Sequence, residues 1–316
     1  MRVVSVQGIP QEEKGSYVLA IGKFDGVHIG HQAILHQARS LAHNQSELAV
    51  VSFTPHPVYV LTGDERYRTW LTPERDKSRL LEQFGVEALF LIQFDAAYAN
   101  VTAETFVREH LKRLGAKSIV VGADFRFGRG GQATVEDLKS LASTIRVPVH
   151  VVHHVEENGV KVSSSNIRDH LLAGRVEAAE ALLGRAYSLT GVVEHGDARG
   201  RTIGFPTANI GGIDDYVLPK NGVYAVSVDT SVHEPGRNWF GVANLGIRPT
   251  VNGLSRRLEV HLLDYSGDLY GKQLRVSLLR RLRDEMKFAS LSELTQQIRQ
   301  DCLMARIMLG LSSLQE

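Results

Sequence analysis

The sequence predicts a two-domain protein: a doubly wound α/β domain over residues 1–184, then an antiparallel β-barrel with a C-terminal helix over residues 185–316. Three observations carry this. At 316 residues the chain has room for two cores. Up to about residue 155, continuous apolar runs alternate with stretches of helical period, which implies a parallel sheet covered on both faces. After about residue 186 the β-like runs follow one another with Gly, Pro, Asn and Asp between them and no helices, as in a compact antiparallel barrel or sandwich.

In the first half the strands are SYVLAIG, LAVVSF, ALFLIQF, KSIVVGA and VPVHVVHHV. Helical patterns lie between them, near residues 31–43, 73–84, 102–114 and 134–144; in the first, Ile34, Leu35, Ala38 and Leu41 share one face. Two short helices fill 164–184. The second half offers YSLTGVVEHG, GVYAVSVDT, NWFGVANLG, RRLEVHLLD and QLRVSLLR as strands. A last helix starts at SLSE, where Ser290 and Glu293 have capping-box spacing, and runs towards 310. No repeat or low-complexity linker separates the halves.

Bulk composition narrows the function classes. The chain is 43% hydrophobic and 22% charged, ordinary for a globular protein. A net charge of +1 gives no general attraction to nucleic acid or anionic lipid. The single Cys302 rules out an internal disulfide framework and fits a reducing compartment. The first residues lack a signal-peptide core and no apolar run approaches membrane-spanning length. The expectation is a cytoplasmic protein without nucleic-acid or membrane partners; nothing in the sequence sets an oligomeric state.

The stretch GKFDGVHIGH at 22–31 reads as a tight loop between a strand and a helix, where free backbone N–H groups and the positive helix end suit a phosphate. His28 and His31 either donate hydrogen bonds to a triphosphate or are satisfied surface histidines. A metal site fits poorly, because no carboxylate or cysteine cluster has matching spacing nearby. Gly22, Gly26 and Gly30 allow close approach of backbone to a ligand. GRGGQA at 128–133 matches the loose dinucleotide fingerprint, but the preceding strand ends several residues too early.

These residues resemble the G-x-F-D-x-x-H-x-G-H signature of the nucleotidyltransferase superfamily. Together with SFTPHP at 52–57, VGADFRFG at 121–128 and VSSSNIRDHLLAG at 162–174, the pattern resembles bacterial bifunctional riboflavin kinase/FAD synthetases. The resemblance implies that the first domain transfers AMP from ATP to FMN, releasing pyrophosphate. It places His28, His31, Ser163, Ser164 and Arg168 at the ATP phosphates, and Gly22, Phe24, Asp25, Gly30, Pro55, Asp124 and Phe125 in the nucleotide and flavin sites. Left to the residues alone, Ser165 reads equally as a helix N-cap, whereas the Arg168 guanidinium suits a phosphate bidentately, with a surface salt bridge as the alternative. Two departures stand out: Ser165 replaces a frequent Thr, and RGGQAT after FRFG lacks the arginine and glycine-aspartate common there. HIGH is also the signature of class I aminoacyl-tRNA synthetases, but KVSSSNIR has the wrong lysine pattern for their second motif.

In the second half, RGRTIGFPTANI at 199–210 is glycine-rich and basic without being a P-loop. Thr207 and Asn209 carry oxygens suited to magnesium, and a plain turn after Pro206 is the simpler reading of the residues. The stretch resembles the riboflavin kinase signature G-F-P-T-A-N, and LPKNGVYAV, NLGIRPT and LEVHLLDYSGDLYGK match later segments in order. The resemblance implies that Thr207 and Asn209 hold Mg2+ and the ATP phosphates, with Gly200, Arg201 and Gly204 shaping the nucleotide loop and Arg283 touching the flavin. It also makes Glu259 the base for the ribityl hydroxyl. Strand alternation puts Glu259 and His261 on one face, opposite Leu258, Val260 and Leu262. The expected enzyme converts riboflavin to FMN and then FAD with ATP. A kinase with an inactive first domain and a non-catalytic flavin- or nucleotide-binding regulator are the alternatives.

Overall fold

The computed structural model describes residues 1–42, 46–196, 200, 203–230, 238–250 and 253–311, with the side chains of 248–250 and 253–255 left aside. Two compact units divide the chain, Met1–Ser164 and Ser165–Glu316.

The first unit is built on a six-stranded sheet, β1 (Arg2–Val6), β2 (Tyr17–Ile21), β3 (Glu47–Thr54), β4 (Ala88–Gln93), β5 (Ala116–Gly122) and β6 (Val149–Val152), in the order β1-β4-β3-β2-β5-β6. Every pairing in it is parallel. The helices are α1 (Ile29–Leu41), α2 (Pro57–Thr62), α3 (Glu74–Gln83), α4 (Ala103–Thr105), which continues into a π-helical stretch Phe106–Leu111, and α5 (Val135–Thr144). Successive residues of each strand enter opposite cores. Val18, Ala20, Val50 and Leu89 pack with Ile34, Leu35 and Ala38 of α1 and Leu80 and Leu81 of α3. Leu19, Ile21, Val51 and Phe90 pack with Phe106, Val107, Leu111, Leu138 and Ala142 on the other face. Two covered faces explain why these strands read as unbroken apolar runs.

The edge strand β1 and the two-residue hairpin strands β7 (Glu156–Glu157) and β8 (Val160–Lys161) were not anticipated. β1 pairs with β4 alone and is largely exposed, so it carries no strong apolar signal.

The second unit opens with α6 (Ser164–Leu172, whose first residue closes the first unit) and α7 (Val176–Leu183), capped by Gly184 at positive φ. A closed barrel follows: β9 (Tyr187–Glu194), β10 (Ala208–Gly211), β11 (Gly222–Asp229), β12 (Asn238–Thr250), β13 (Gly253–Leu262) and β14 (Gln273–Arg283), in the order β10-β13-β12-β11-β14-β9. All six pairings are antiparallel. The last helix, α8 (Leu291–Met308), lies against the barrel's outer face, where Cys302 and Ala305 meet Val223, Ala225 and Val242. Ser290 caps it by accepting from the Glu293 N–H at 3.2 Å; the Glu293 carboxylate accepts from the Ala289 N–H at 3.0 Å instead of closing the box on Ser290.

Candidate active sites

In the first unit the strand order reverses between β2 and β5, the place where open α/β sheets bind ligands at the carboxyl ends of their strands. The segments singled out in the sequence lie at such ends: residues 22–28 after β2, Thr54–His56 after β3 and Gly122–Phe125 after β5. The loop after β2 has an unusual course. Phe24, Gly26 and Val27 have φ of 49°, 90° and 41°, and Phe24, Asp25 and Val27 are fully buried. Left-handed φ at Phe and Val costs backbone energy, so the surroundings must impose it. The Asp25 carboxylate does part of this by accepting from the backbone N–H groups of Leu71 (2.8 Å) and Thr72 (3.2 Å). The Ser164 hydroxyl donates to the Asp25 carbonyl at 2.8 Å.

His28 is the N-cap of α1. Its Nδ1 accepts from the His31 N–H at 3.2 Å, which in the neutral ring leaves the proton on Nε2. The two imidazoles stack with centroids 3.6 Å apart, and the ring of Phe24 lies 5.0 Å from that of His31. The glycines make room for these rings: a Cβ on Gly30 would stand 3.2 Å from His28 Nδ1, and one on Gly22 would stand 3.3 Å from the Phe24 ring. Their first role is therefore internal packing of the loop, where the sequence suggested close approach to a ligand.

Around this loop, Pro55 is exposed after a cis Thr54–Pro55 bond, and His56 caps α2. The Asp124 carboxylate accepts from Lys161 Nζ at 2.9 Å; burial works to raise its pKa, but the Lys161 bond and charge outweigh this and hold it below the usual range. Phe125 stacks on Phe127 with centroids 5.6 Å apart. The 128–133 stretch is a glycine-rich turn closed by a Phe127–Ala133 bridge, and α5 begins only at Val135, so no dinucleotide loop forms. Ser163 precedes α6, while Ser165 lies inside that helix instead of capping it. Arg168, on α6 in the second unit, is buried, which removes the surface salt-bridge reading.

The barrel site is a cavity of about 630 Å³ between the barrel's outer face and α8. Gly200, Thr207, Asn209, Glu259 and Arg283 all line it, so residues spread over 84 positions (283 − 199 with both ends counted) meet in one place. Arg201 lies outside the described residues. Strand register explains the convergence: Asn209 of β10 pairs with Glu259 of β13, and Glu259 pairs with Asn244 of β12. Paired residues point to the same side, so an amide, a carboxylate and an amide form a row across three strands. Leu258, Val260 and Leu262 are buried on the opposite side of β13, as its alternation requires.

The His261 ring meets the Pro206 carbonyl through Nδ1 at 2.8 Å, tying the loop before β10 to β13. Gly200 closes that loop. Its carbonyl accepts from Phe205 N–H at 2.8 Å, and any Cβ there would collide with the Phe205 carbonyl. Gly204 supplies a turn at φ 84°. The far wall of the cavity is apolar, with Met286, Phe288, Leu291, Leu294 and Ile298. Arg283 does line the cavity, but its guanidinium is clamped by Asp301 of α8 (Nη2 to Oδ2 2.7 Å, Nε to Oδ1 2.9 Å).

Comparison with known proteins identifies the family. Residues 10–166 match the FAD synthetase family model and residues 183–309 the riboflavin kinase model. The bifunctional riboflavin kinase/FMN adenylyltransferase of Escherichia coli K12 is 39% identical over 309 residues, 97% of each chain. That of Bacillus subtilis 168 is 38% identical over 299 residues, 92% of each. The chain belongs to the bifunctional riboflavin kinase/FMN adenylyltransferase family. It is a bifunctional transferase with both catalytic domains present. A solved Streptococcus pneumoniae structure, described as a macrolide-efflux protein, superposes with a TM-score of 0.87 at 33% identity, covering 97% of this chain and 99% of that one. No described helix of the present chain is long and apolar enough to cross a membrane.

Two further side chains of the first unit hold the loop after β2: Ser52, within the SFTPHP segment singled out above, and Lys77, which the sequence did not announce. Ser52 and Lys77 both donate to the Lys23 carbonyl in the loop after β2. In the kinase domain, Asn244, Glu285 and Asp301 are the unanticipated polar residues of the cavity. Asn244 falls within the NLGIRPT segment; Asp301 sits in a polar helical stretch with no distinguishing signal.

Proposed function

We propose that each transfer of this family is carried out here by the residues just described. In the kinase domain, Glu259 accepts the proton of the ribityl 5′-hydroxyl as that oxygen attacks the γ-phosphorus of ATP; the bond from that phosphorus to the β,γ-bridging oxygen breaks and ADP leaves. The hydroxyl is a poor nucleophile without a base, and a carboxylate aimed into the cavity supplies one. The single observation supporting this most strongly is the cross-strand row Asn209–Glu259–Asn244 facing an apolar wall across the cavity. One side suits phosphates and the other a flat aromatic ring.

Thr207 and Asn209 present a hydroxyl and an amide beside Glu259, a hard-oxygen set that fits magnesium, an ion usually held by few protein ligands together with substrate phosphates. The ion would neutralise phosphate charge. Thr207 and Asn209 would fix where the terminal phosphates lie, and Gly200 and Gly204 would shape the loop around them.

In the adenylyltransferase domain the FMN phosphate is already nucleophilic, so positioning and charge neutralisation suffice. An FMN phosphate oxygen bonds to the α-phosphorus, and the bond from that phosphorus to the bridging oxygen breaks, releasing pyrophosphate. His28 Nε2–H and His31, at the start of α1, donate to the charge that develops there. Ser163 and Ser164 extend the phosphate site. The lone, buried Cys302 fits action in the reducing cytoplasm. Incubation with riboflavin, ATP and magnesium followed by separation of the flavins tests the pair: FAD supports both assignments, and FMN alone overturns that of the first domain.

A further inference from the structure

Beneath the loop after β2 lies a buried lysine that the mechanism leaves unused. Lys77, on the first turns of α3, is 2% exposed. Its Nζ donates to the Lys23 carbonyl at 3.2 Å and stands 4.3 Å from the centre of the Trp70 ring. Burial pulls the ammonium down to about 8, while the charges of Asp25 and Glu74 act to keep it protonated. A buried cation is costly, and hydrogen bonding and a nearby opposite charge only partly offset that cost. An apolar residue in the same place would fill the space more cheaply, so the lysine's presence calls for a reason.

The surroundings supply one. The Lys23 carbonyl also accepts from the Ser52 hydroxyl at 2.9 Å, so two side chains hold one carbonyl from β3 and α3. The next residues are Phe24 in a left-handed conformation and Asp25, whose carboxylate holds Leu71 and Thr72 in the segment leading to α3. Asp25 and Lys77 thus tie the loop to the same segment at two points. The loop ends at His28, the cap of α1. A strained course reaching into the site at that cap needs such anchoring.

We propose that Lys77 is a positioning residue for adenylyl transfer: through the Lys23 carbonyl it holds residues 22–28 in the course that sets His28 and His31 at the ATP phosphates. The inference rests on that assignment of the two histidines.

The test is Lys77→Met in the full-length enzyme, which keeps chain length and removes the donor. FMN adenylylation should fall on the order of tenfold to a hundredfold, the scale of a misplacement near 1 Å. Riboflavin phosphorylation should stay within about twofold, the range of a change outside the unit that carries that site. Amide hydrogen exchange supplies the second readout. Protection should drop across residues 22–31 while the strands β2 to β5 keep theirs. A merely structural role predicts faster exchange throughout those strands, and parental adenylylation predicts no role; either result overturns the proposal. If the Met variant fails to fold, Ser52→Ala removes the other donor to the same carbonyl. It should give a smaller loss, about threefold, with the same local exchange pattern, on the scale of one neutral hydrogen bond. Parental rate and exchange in Ser52→Ala would then overturn the proposal. If His28→Ala/His31→Ala makes FAD at the parental rate, the histidine assignment itself fails, which separates that failure from this one.

Discussion

The two sites of this enzyme are built in opposite ways. In the adenylyltransferase domain the proposed phosphate-binding histidines occupy one short loop and the start of one helix, and the loop's left-handed residues are held by Asp25, Ser52 and Lys77. In the kinase domain the corresponding residues come from separate strands, and ordinary antiparallel register brings Asn209, Glu259 and Asn244 into line. A loop site depends on anchors that can be lost singly; a register site can shift only if a strand slips, which would turn every side chain to the other face. The kinase site should therefore tolerate peripheral changes better than the adenylyltransferase site.

The largest expected effect lies in the register site. Glu259→Gln keeps size and most hydrogen bonding but cannot take a proton, so kcat for riboflavin phosphorylation should drop about a hundred- to ten-thousandfold. Binding of riboflavin should change far less, since the loss belongs to the transition state. Steady-state kinetics with riboflavin and with FMN on one preparation checks this, because FMN adenylylation should continue at the parental rate. A normal kcat would leave the barrel without a base.

Next comes His28→Ala/His31→Ala. Removing donors to developing charge should lower adenylylation on the order of a hundredfold or more, with kinase turnover nearly intact. Initial rates of FAD formation from FMN measure it directly.

A smaller effect sharpens the contrast between loop and register. In Gly30→Ala the new Cβ meets His28 Nδ1 at 3.2 Å, displacing the cap by a few tenths of an ångström. Adenylylation should fall about tenfold, while net stability should change by less than about 1 kcal/mol, because the helix propensity of Ala over Gly offsets the weakened cap. Thermal unfolding alongside the rate separates the two contributions.

The smallest effect on rate concerns the domain boundary. A fragment from residue 165 should phosphorylate riboflavin as fast as the full chain. A fragment from 185 omits α7, whose buried Val176, Ala179, Leu182 and Leu183 and the Glu180–Arg280 contact belong to the second unit. It should be less stable by on the order of 3 kcal/mol, from the apolar surface lost. Urea titration of the two fragments reads the difference.

How much of this was legible follows from what each feature leaves in the sequence. Strands covered on both faces produce long apolar runs, and the barrel strands alternate, so both sheets and the face carrying Glu259 could be read directly. The four-residue strand β10 was missed because it is shorter than a recognisable alternation and follows the proline loop. The edge strand β1 was missed because exposure leaves it mixed. Asn209 and Glu259 meet in the kinase cavity because they are register partners on neighbouring strands, while Arg201 lies outside the described residues. Lys77 was invisible: in the charged run ERDKSR nothing distinguishes a buried lysine from a solvated one. Arg283 was read as a flavin contact, and only the fold reveals Asp301 opposite it. The positive-φ residues of the loop after β2 also have no local signature, since Phe and Val ordinarily avoid that conformation.

The central claim is that each transfer is complete within its own site. Mixing the Glu259→Gln variant with the His28→Ala/His31→Ala variant, in riboflavin, ATP and magnesium, tests it most directly. Alone, the first should leave riboflavin largely unconverted and the second should stop at FMN. Together they should make FAD, because FMN released by one protein is adenylylated by the other. A mixture that accumulates FMN without FAD, although the Glu259→Gln protein adenylylates added FMN when assayed alone, would contradict the account.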